Sequence, residues 1–297
     1  MRLRRTLIAV GIVILVIDGG ILFARSRDNA APVTAAAAVA RFRGEARTPY
    51  ASSTTTSTVA TTTTSARPVG SPGRRPALTA PAVSTAPTAP RPAEALLPSE
   101  GVYVYATSGT EHVDILGGTR HDYPPETTIT VRHEGCGMRD RWDALQARWD
   151  ARHYCATEQG LAVRDVVQHH EFYGRADERT FVCDAGAIAN PRDAKPGSTW
   201  TTVCRSNDAV GTTAVRAVGY EDVVVGGTRV RAFHFHSTTD VTGATRGSQT
   251  YDDWMVQSTG LLVRRISSND ARTNSPVGTA HYQEHYELRL TSLTPRT

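Results

Sequence analysis

The sequence predicts a mainly β protein, built as a curved antiparallel sheet or half-barrel and carried on an N-terminal membrane anchor and a disordered stalk. Three observations support this prediction. The composition of the 297-residue chain changes abruptly near residue 99. From there apolar and polar residues alternate with a period of two, as they do in half-buried strands. All four cysteines also fall in this part, which indicates a stapled extracytoplasmic domain.

The N-terminus has the features of a signal anchor. Three arginines in MRLRR precede an apolar run over residues 7–24, with Leu7 at its start and Ala24 at its end. At about 1.5 Å of rise per residue such a helix crosses most of a bilayer core of roughly 30 Å. Residues 1–26 are therefore predicted to be a cytoplasmic basic tail and a single transmembrane helix, with the C-terminal domain outside the cell membrane. The alternative is a cleaved signal peptide and a secreted protein.

Residues 27–98 are rich in Ala, Thr and Pro and nearly free of aromatic side chains. Such a segment buries too little apolar surface to offset the entropy of ordering it. We expect a disordered stalk there and an extracytoplasmic β domain over residues 99–297.

The net charge of +4 is unevenly distributed along the chain. Basic residues exceed acidic residues before residue 99, and acidic residues exceed basic residues after it. A mildly acidic domain lacks the basic face that phosphate neutralisation requires, so we expect no nucleic-acid binding.

The best-defined local prediction is a hairpin between two cysteines. If Leu145 and Gln146 form a two-residue turn, the numbers of facing residues sum to 291. Cys136 then faces Cys155, and Trp142 faces Trp149 across the strands.

The same register places two opposite-charge pairs on the other face, Arg141 with Asp150 and Asp143 with Arg148. A helix is the alternative, since the apolar residues here also fall near helical spacing. A helix explains neither the cysteine register nor the charge pairs, so the hairpin is favoured.

A second hairpin is predicted around the Gly-Gly turn at residues 226–227, with facing residues summing to 453. Tyr220 then meets Phe233, and Val218 meets Phe235. By the same rule Asp222 faces Arg231.

The cysteines Cys136, Cys155, Cys183 and Cys204 allow three pairings and have no CxxC spacing. We predict the bonds 136–155 and 183–204, because each closes a short loop. The region between Cys183 and Cys204 is expected to be a long irregular loop.

The domain contains a weak internal repeat. Trp149 is followed by a Gly-Leu-Ala-Val-Arg segment at residues 160–164, and Trp254 by Gly-Leu-Leu-Val-Arg at residues 260–264. The pattern suggests two similar halves, and chance recurrence of strand patterns is the alternative.

The second of these segments, together with the Gly-Gly hairpin, resembles the carboxyl part of bacterial lipoprotein-carrier-like half-barrels. That group includes envelope lipid and lipoprotein carriers and a periplasmic stress-signalling regulator. The layout of anchor, stalk and domain also resembles exported proteins of actinobacteria. The resemblance implies a curved antiparallel sheet that binds lipid, and it transfers no functional residue.

Candidate ligand-lining residues are the aromatic side chains of the predicted strands. They could line an apolar pocket, or they could be ordinary core. The candidates are Trp142, Trp149, Trp254, Tyr220, Phe233 and Phe235.

Histidines offer the other candidate chemistry. His234 and His236 share one strand face, as do His281 and His285, and two such pairs could build a zinc or copper site. Solvated strand histidines are the simpler interpretation, and we expect no cofactor and no metal.

No nucleophile elbow, HExxH helix, phosphate loop or dinucleotide-binding glycine pattern occurs in the sequence. Glu111 with His112 and Asp114, and His133 with Glu134, are the only acid–base groupings that stand out, and such groupings are common on surfaces. We therefore expect a non-catalytic, membrane-anchored binding module for a lipid or other apolar ligand. The alternatives are a protein-interaction or envelope-sensing module that signals through its anchor, and a metal-dependent enzyme.

Overall fold

The computed structural model describes residues 30–45, 97–275 and 278–297. The predicted anchor, residues 1–26, and most of the predicted stalk lie outside these ranges. Among the described residues, no helix is both long and apolar enough to cross a membrane. The described elements are one helix, α1 (Ala35–Glu45), and the strands β1 (Gly101–Asp114), β2 (Thr119–Asp122), β3 (Glu126–Glu134), β4 (Gly137–Leu145), β5 (Arg148–Thr157), β6 (Gly160–Phe172), β7 (Arg175–Cys183), β8 (Ile188–Pro191), β9 (Thr199–Arg205), β10 (Ala209–Val225), β11 (Thr228–Gly243), β12 (Thr245–Val256), β13 (Leu261–Ser275) and β14 (Gly278–Leu290).

The strands form one antiparallel sheet that closes on itself. Twelve strands follow one another in the order β1, β3, β4, β5, β6, β7, β9, β10, β11, β12, β13 and β14, and β14 pairs with β1. Strands β2 and β8 are additions that pair with β1 and β6. The prediction of a mainly β, curved antiparallel sheet is confirmed, and the curvature is large enough to complete a barrel.

Alternation along the strands decides which side chains enter the barrel. On β1, Tyr103 and Tyr105 belong to the main core inside the barrel, while Val102 packs beneath α1 on the outer wall. On β14, Tyr286 and Leu288 are fully buried, as the alternation predicts. On these strands the period-two pattern therefore identifies which side chains face the barrel interior and which face outward.

The first predicted hairpin exists, but its register differs by one residue. Its turn uses Gln146 and Ala147, and a bulge interrupts the pairing between Asp143 and Leu145. The prediction that Trp142 faces Trp149 is wrong, because Trp142 pairs with Asp150 and Trp149 with Asp143. A shift of one residue reverses the face that each side chain occupies on one strand relative to the other.

The two predicted charge pairs of this hairpin are also wrong. Arg148 binds Asp150, two residues along its own strand, and Arg141 likewise binds Asp143. The first pair is fully buried inside the barrel. The helix alternative is excluded, since the segment consists of β4 and β5.

Both predicted disulfides are confirmed. Cys136 bonds Cys155 at the open end of the β4–β5 hairpin, and Cys183 bonds Cys204. The second bond joins directly opposed residues of β7 and β9, which share only two residue pairs. The irregular loop expected between these cysteines instead contains two strands, β8 and β9.

The Gly-Gly hairpin is confirmed at its tip. Tyr220 pairs with Phe233 and Asp222 with Arg231. The pairing of Val218 with Phe235 is wrong, because a bulge at Val218 lets Ala217 take that place.

Helix α1 corrects part of the predicted stalk. Its sequence, AAAAVARFRGE, is rich in the best helix former, and Thr34 caps it by accepting a hydrogen bond from the Ala37 amide at 3.2 Å. Phe42 packs toward Val102 and lies under the guanidinium of Arg132 at 4.3 Å. Residues 30–45 are thus ordered against the outer wall, and the prediction of disorder is wrong for them.

Candidate functional site

The barrel interior contains a cavity of about 190 Å³. Strands β5 to β13 line it, so it lies off-centre, away from β1, β3, β4 and β14. An apolar cavity of roughly 150 Å³ is large enough to bind benzene, so this volume suits a small molecule or a short chain. Its apolar wall is made by Val163, Val166, Phe181, Val215, Phe235 and Met255.

The polar part of the cavity wall contains two arginines. Arg265 is buried, and its Nε and a terminal nitrogen donate to the two oxygens of Asp253 at 2.6 and 2.8 Å. The Tyr251 ring lies 4.7 Å from the same guanidinium. Arg265 is therefore held as a bidentate ion pair.

Arg152 has a different environment. It is only 8% exposed and lines the same cavity. Within the described part of the chain its guanidinium makes no hydrogen bond, and the nearest carboxylate oxygen, Oδ2 of Asp150, lies 3.6 Å away. Arg152 is thus a buried residue on the cavity wall whose guanidinium has no hydrogen-bond acceptor among the described residues.

A second buried charge cluster lies next to the cavity, centred on Arg148. This guanidinium donates to both oxygens of Asp150, at 2.6 and 3.1 Å, and to both oxygens of Glu284, at 2.9 and 3.3 Å. The Tyr123 hydroxyl also donates to Glu284. Burial raises the pKa of Asp150, but the guanidiniums of Arg148 and Arg152 outweigh it and lower that pKa to about 2.

Glu111 extends this cluster toward the β1–β2 hairpin. One of its oxygens hydrogen-bonds His121 Nδ1 at 2.8 Å, and the other accepts from the Tyr282 hydroxyl at 3.0 Å. Burial raises the pKa of Glu111, yet His121 and His170 outweigh it and lower the pKa to about 2. The sequence-based grouping of Glu111 with His112 does not form, because neighbouring residues on a strand point to opposite faces.

The Arg148 cluster and the cavity beside Arg152 differ in whether their hydrogen-bonding groups already have protein partners. The carboxylates around Arg148 accept hydrogen bonds from protein donors, which is the requirement for stable burial of charge. The Arg148 cluster is therefore structural. The cavity beside Arg152 retains both volume and donors, and is the candidate ligand site.

Of the predicted ligand-lining residues inside the barrel, one reaches the cavity. Phe235 forms part of its wall. Phe233 and Trp142 are packed in the core, Trp142 against the Tyr286 ring at 4.3 Å. Tyr220 is 45% exposed near the end of the barrel.

The two remaining tryptophans lie on the outer wall, in matching environments. Trp149 stacks on His169 with ring centroids 4.9 Å apart, and Trp254 stacks on His234 at 4.2 Å. An arginine covers each indole ring, at 3.8 and 4.5 Å from the ring centroid. This equivalence parallels the repeat seen in the sequence. The arginines are Arg141 and Arg264.

The structure brings together one pair of the candidate metal ligands. His234 Nε2 and His236 Nδ1 both hydrogen-bond Oδ1 of Asp252, at 2.8 and 2.9 Å, on the outer wall. His234 Nδ1 also bonds Glu221 at 2.9 Å. Each imidazole thus already has a carboxylate partner.

The other candidate pair is not brought together. His281 bonds Asp270 at 3.0 Å, whereas His285 bonds the Ser268 hydroxyl at 2.8 Å. The expectation that none of the four histidines ligates a metal stays a prediction.

Among the described residues, the ligand-type atoms that come close enough together for a metal belong to Cys136, His153 and Cys155. The two sulfurs are bonded to each other, so neither is available as a thiolate ligand.

Sequence reasoning missed Arg152, Asp253 and Arg265 as cavity residues. The available signal was their position: each lies in the same alternation phase as buried side chains, such as Tyr154 after Arg152. A charged residue in the core phase of a strand indicates either a buried ion pair or a ligand contact.

The chain matches no protein-family model and no curated protein. Among solved structures it is similar to the hypothetical lipoprotein YmcC from Escherichia coli K12. The two share 13% sequence identity, and the alignment covers 60% of this chain and 85% of that one with a TM-score of 0.29.

Proposed function

We propose that the barrel is a non-catalytic binding module that takes a small apolar ligand, or a short length of an acyl chain, into its interior cavity. The observation that supports this most is the cavity itself, about 190 Å³ with a mainly apolar wall. Well-packed interiors contain few voids larger than a water molecule. This volume equals that of about six liquid water molecules, and apolar walls give water few partners.

The size of the cavity limits the ligand. Sites for drug-sized molecules usually measure about 300–1,000 Å³, so a whole phospholipid does not fit here. A six-carbon molecule matches the volume. A longer acyl chain would leave part of its length outside the barrel.

Two disulfides support an oxidising, extracytoplasmic location for the module. We propose that residues 7–24 anchor the chain in the cell membrane, with the barrel on the outer side. In this arrangement the membrane is both the anchor site and the source of an apolar ligand.

Calorimetric titration of the purified chain with 1-hexanol tests the proposal. The matched variants are Val166→Trp, which fills the cavity, and Val167→Trp on the opposite face of the same strand. We expect Val166→Trp to weaken hexanol binding at least tenfold, because the indole takes the ligand's place. Val167→Trp should bind as the unchanged chain does.

Two outcomes would refute the proposal. One is the absence of binding of both 1-hexanol and hexanoate to the unchanged chain up to their solubility limits. The other is equal weakening by both variants, which would place the binding elsewhere.

A further inference from the structure

Arg152 is the second arginine of the cavity wall, and its environment bears on the chemistry of the ligand. Arg152 lies on β5 opposite Val166 of β6, so its side chain and the apolar wall belong to the same space. It is only 8% exposed. A guanidinium has five N–H donors, and those that the protein does not hydrogen-bond are free to bind an acceptor on a ligand.

The neighbouring arginines show how the fold normally satisfies such a group. Arg148 makes four hydrogen bonds to two carboxylates, and Arg265 makes two to one. Arg152 makes none to any residue that the structure describes. Its nearest carboxylate, Asp150, already uses both oxygens to accept from Arg148.

Asp140 is the other acidic residue beside Arg152. It is the direct cross-strand partner on β4, yet its Oδ1 is buried and accepts no hydrogen bond from the described residues. Burial raises the pKa of Asp140, while Arg152 opposes that rise. Asp140 thus offsets part of the charge without occupying the guanidinium donors.

From this arrangement we propose that the ligand is an amphiphile with an anionic head, a carboxylate or a phosphate, which Arg152 binds while the apolar part fills the cavity. Guanidinium forks match both anions in a bidentate geometry. This inference rests on the proposed function and specifies the ligand class. It also assigns Arg152 as the residue that determines head-group specificity.

The test compares three ligands with the same six-carbon chain: hexanoate, hexyl phosphate and 1-hexanol, titrated calorimetrically into the full chain at pH 7.5. We expect at least one anion to bind roughly tenfold or more tightly than hexanol, since hydrogen bonds to charged groups are the strong ones. The anion that binds more tightly identifies the head group.

Three variants test whether Arg152 causes the preference for the anion. Arg152→Met should abolish the preference for the anion over hexanol, because it removes the guanidinium that binds the head group. Arg164→Met, an exposed arginine on β6, is the control and should retain the preference. Asp140→Asn removes the opposing charge and should increase the preference.

Equal binding of hexanol and both anions to the unchanged chain would overturn this inference and leave the proposed function standing. That comparison needs no variant, so it holds even if Arg152→Met fails to fold. A preference that Arg152→Met retains would also overturn it. If none of the three ligands binds, the proposed function fails as well.

Discussion

On both sides of the barrel interior, strand alternation points every second side chain inward, yet the two sides are filled differently. We call the part facing β1, β3, β4 and β14 the filled side. There Trp142 packs on Tyr286 and meets the Tyr123 ring at 5.6 Å. We call the part facing β6 to β12 the hollow side, where the cavity remains.

Two arginines of β5 show the consequence of this difference. Arg148 and Arg152 lie four residues apart and both point inward. On the filled side Arg148 is enclosed by carboxylates that satisfy its donors, whereas Arg152 borders the hollow side with donors free of hydrogen bonds to described residues. Similar side chains therefore serve stability in one region and are available for binding in the other.

The largest predicted effect separates these arginines by stability. Arg148→Met leaves Asp150 and Glu284 buried without their cation, which typically costs about 3–5 kcal/mol. Arg152→Met should lower the free energy of unfolding by less, because it removes no hydrogen bond and leaves Asp150 bound to Arg148. Urea denaturation of both variants measures the difference. Equal destabilisation would show that the two sides do not differ in this way.

The next effect concerns the disulfide of the hollow side. Replacing Cys183 and Cys204 together by serine should lower stability by about 3 kcal/mol, from the loss of a cross-link that closes a short loop. It should also speed hydrogen exchange of β7 and β9 amides, since only two residue pairs join these two strands.

The matched control is replacement of Cys136 and Cys155 by serine. Its loop is nearly the same length, with a sequence separation of 19 against 21, so the stability loss should be similar. Exchange in β4 and β5 should change little, because their hairpin is paired along its length. Equally faster exchange in β4 and β5 would contradict a weak strand pairing specific to β7 and β9.

The smallest effect is the acid response of the filled side. The pKa of Glu111 is lowered to about 2 in the folded protein from an ordinary value of 4.5, so the unfolded chain binds the proton more tightly. The resulting stability is complete above pH 4.5 and is lost as the pH falls toward 2. Between pH 7 and pH 3 the loss due to Glu111 is about 2 kcal/mol.

Thermal unfolding across that pH range, with Glu111→Gln, measures this contribution. The variant should lose less stability on acidification than the unchanged chain. Glu126→Gln, an exposed glutamate on β3, is the control and should follow the unchanged chain. Identical pH slopes for the unchanged chain and Glu111→Gln would show that the Glu111 carboxylate is not held in this way.

Much of the fold follows from the sequence. Period-two alternation identifies the strands, the short loops identify both disulfides, and the Gly-Gly turn fixes the pairing of Tyr220 with Phe233. Closure of the barrel does not follow, because it depends on β14 pairing with β1 across most of the domain.

The predicted register of the first hairpin gives two residues of the barrel interior the wrong partners. With the turn placed at Leu145 and Gln146, Arg148 and Asp150 are predicted as the cross-strand partners of Asp143 and Arg141. The bulge before Leu145 changes this pairing, and both side chains are buried beside the cavity. Strand alternation carries no information about where a bulge falls, so a sequence pattern alone does not distinguish a surface ion pair from an interior one.

The central claim, that the hollow side is a ligand site, is tested most directly by a crystal structure of the protein soaked with 6-bromohexanol. We predict an anomalous bromine peak inside the barrel, with the chain in contact with Val166 and Phe235 at about 4 Å. A cavity without a peak at saturating ligand, or peaks on the outer wall alone, would contradict it.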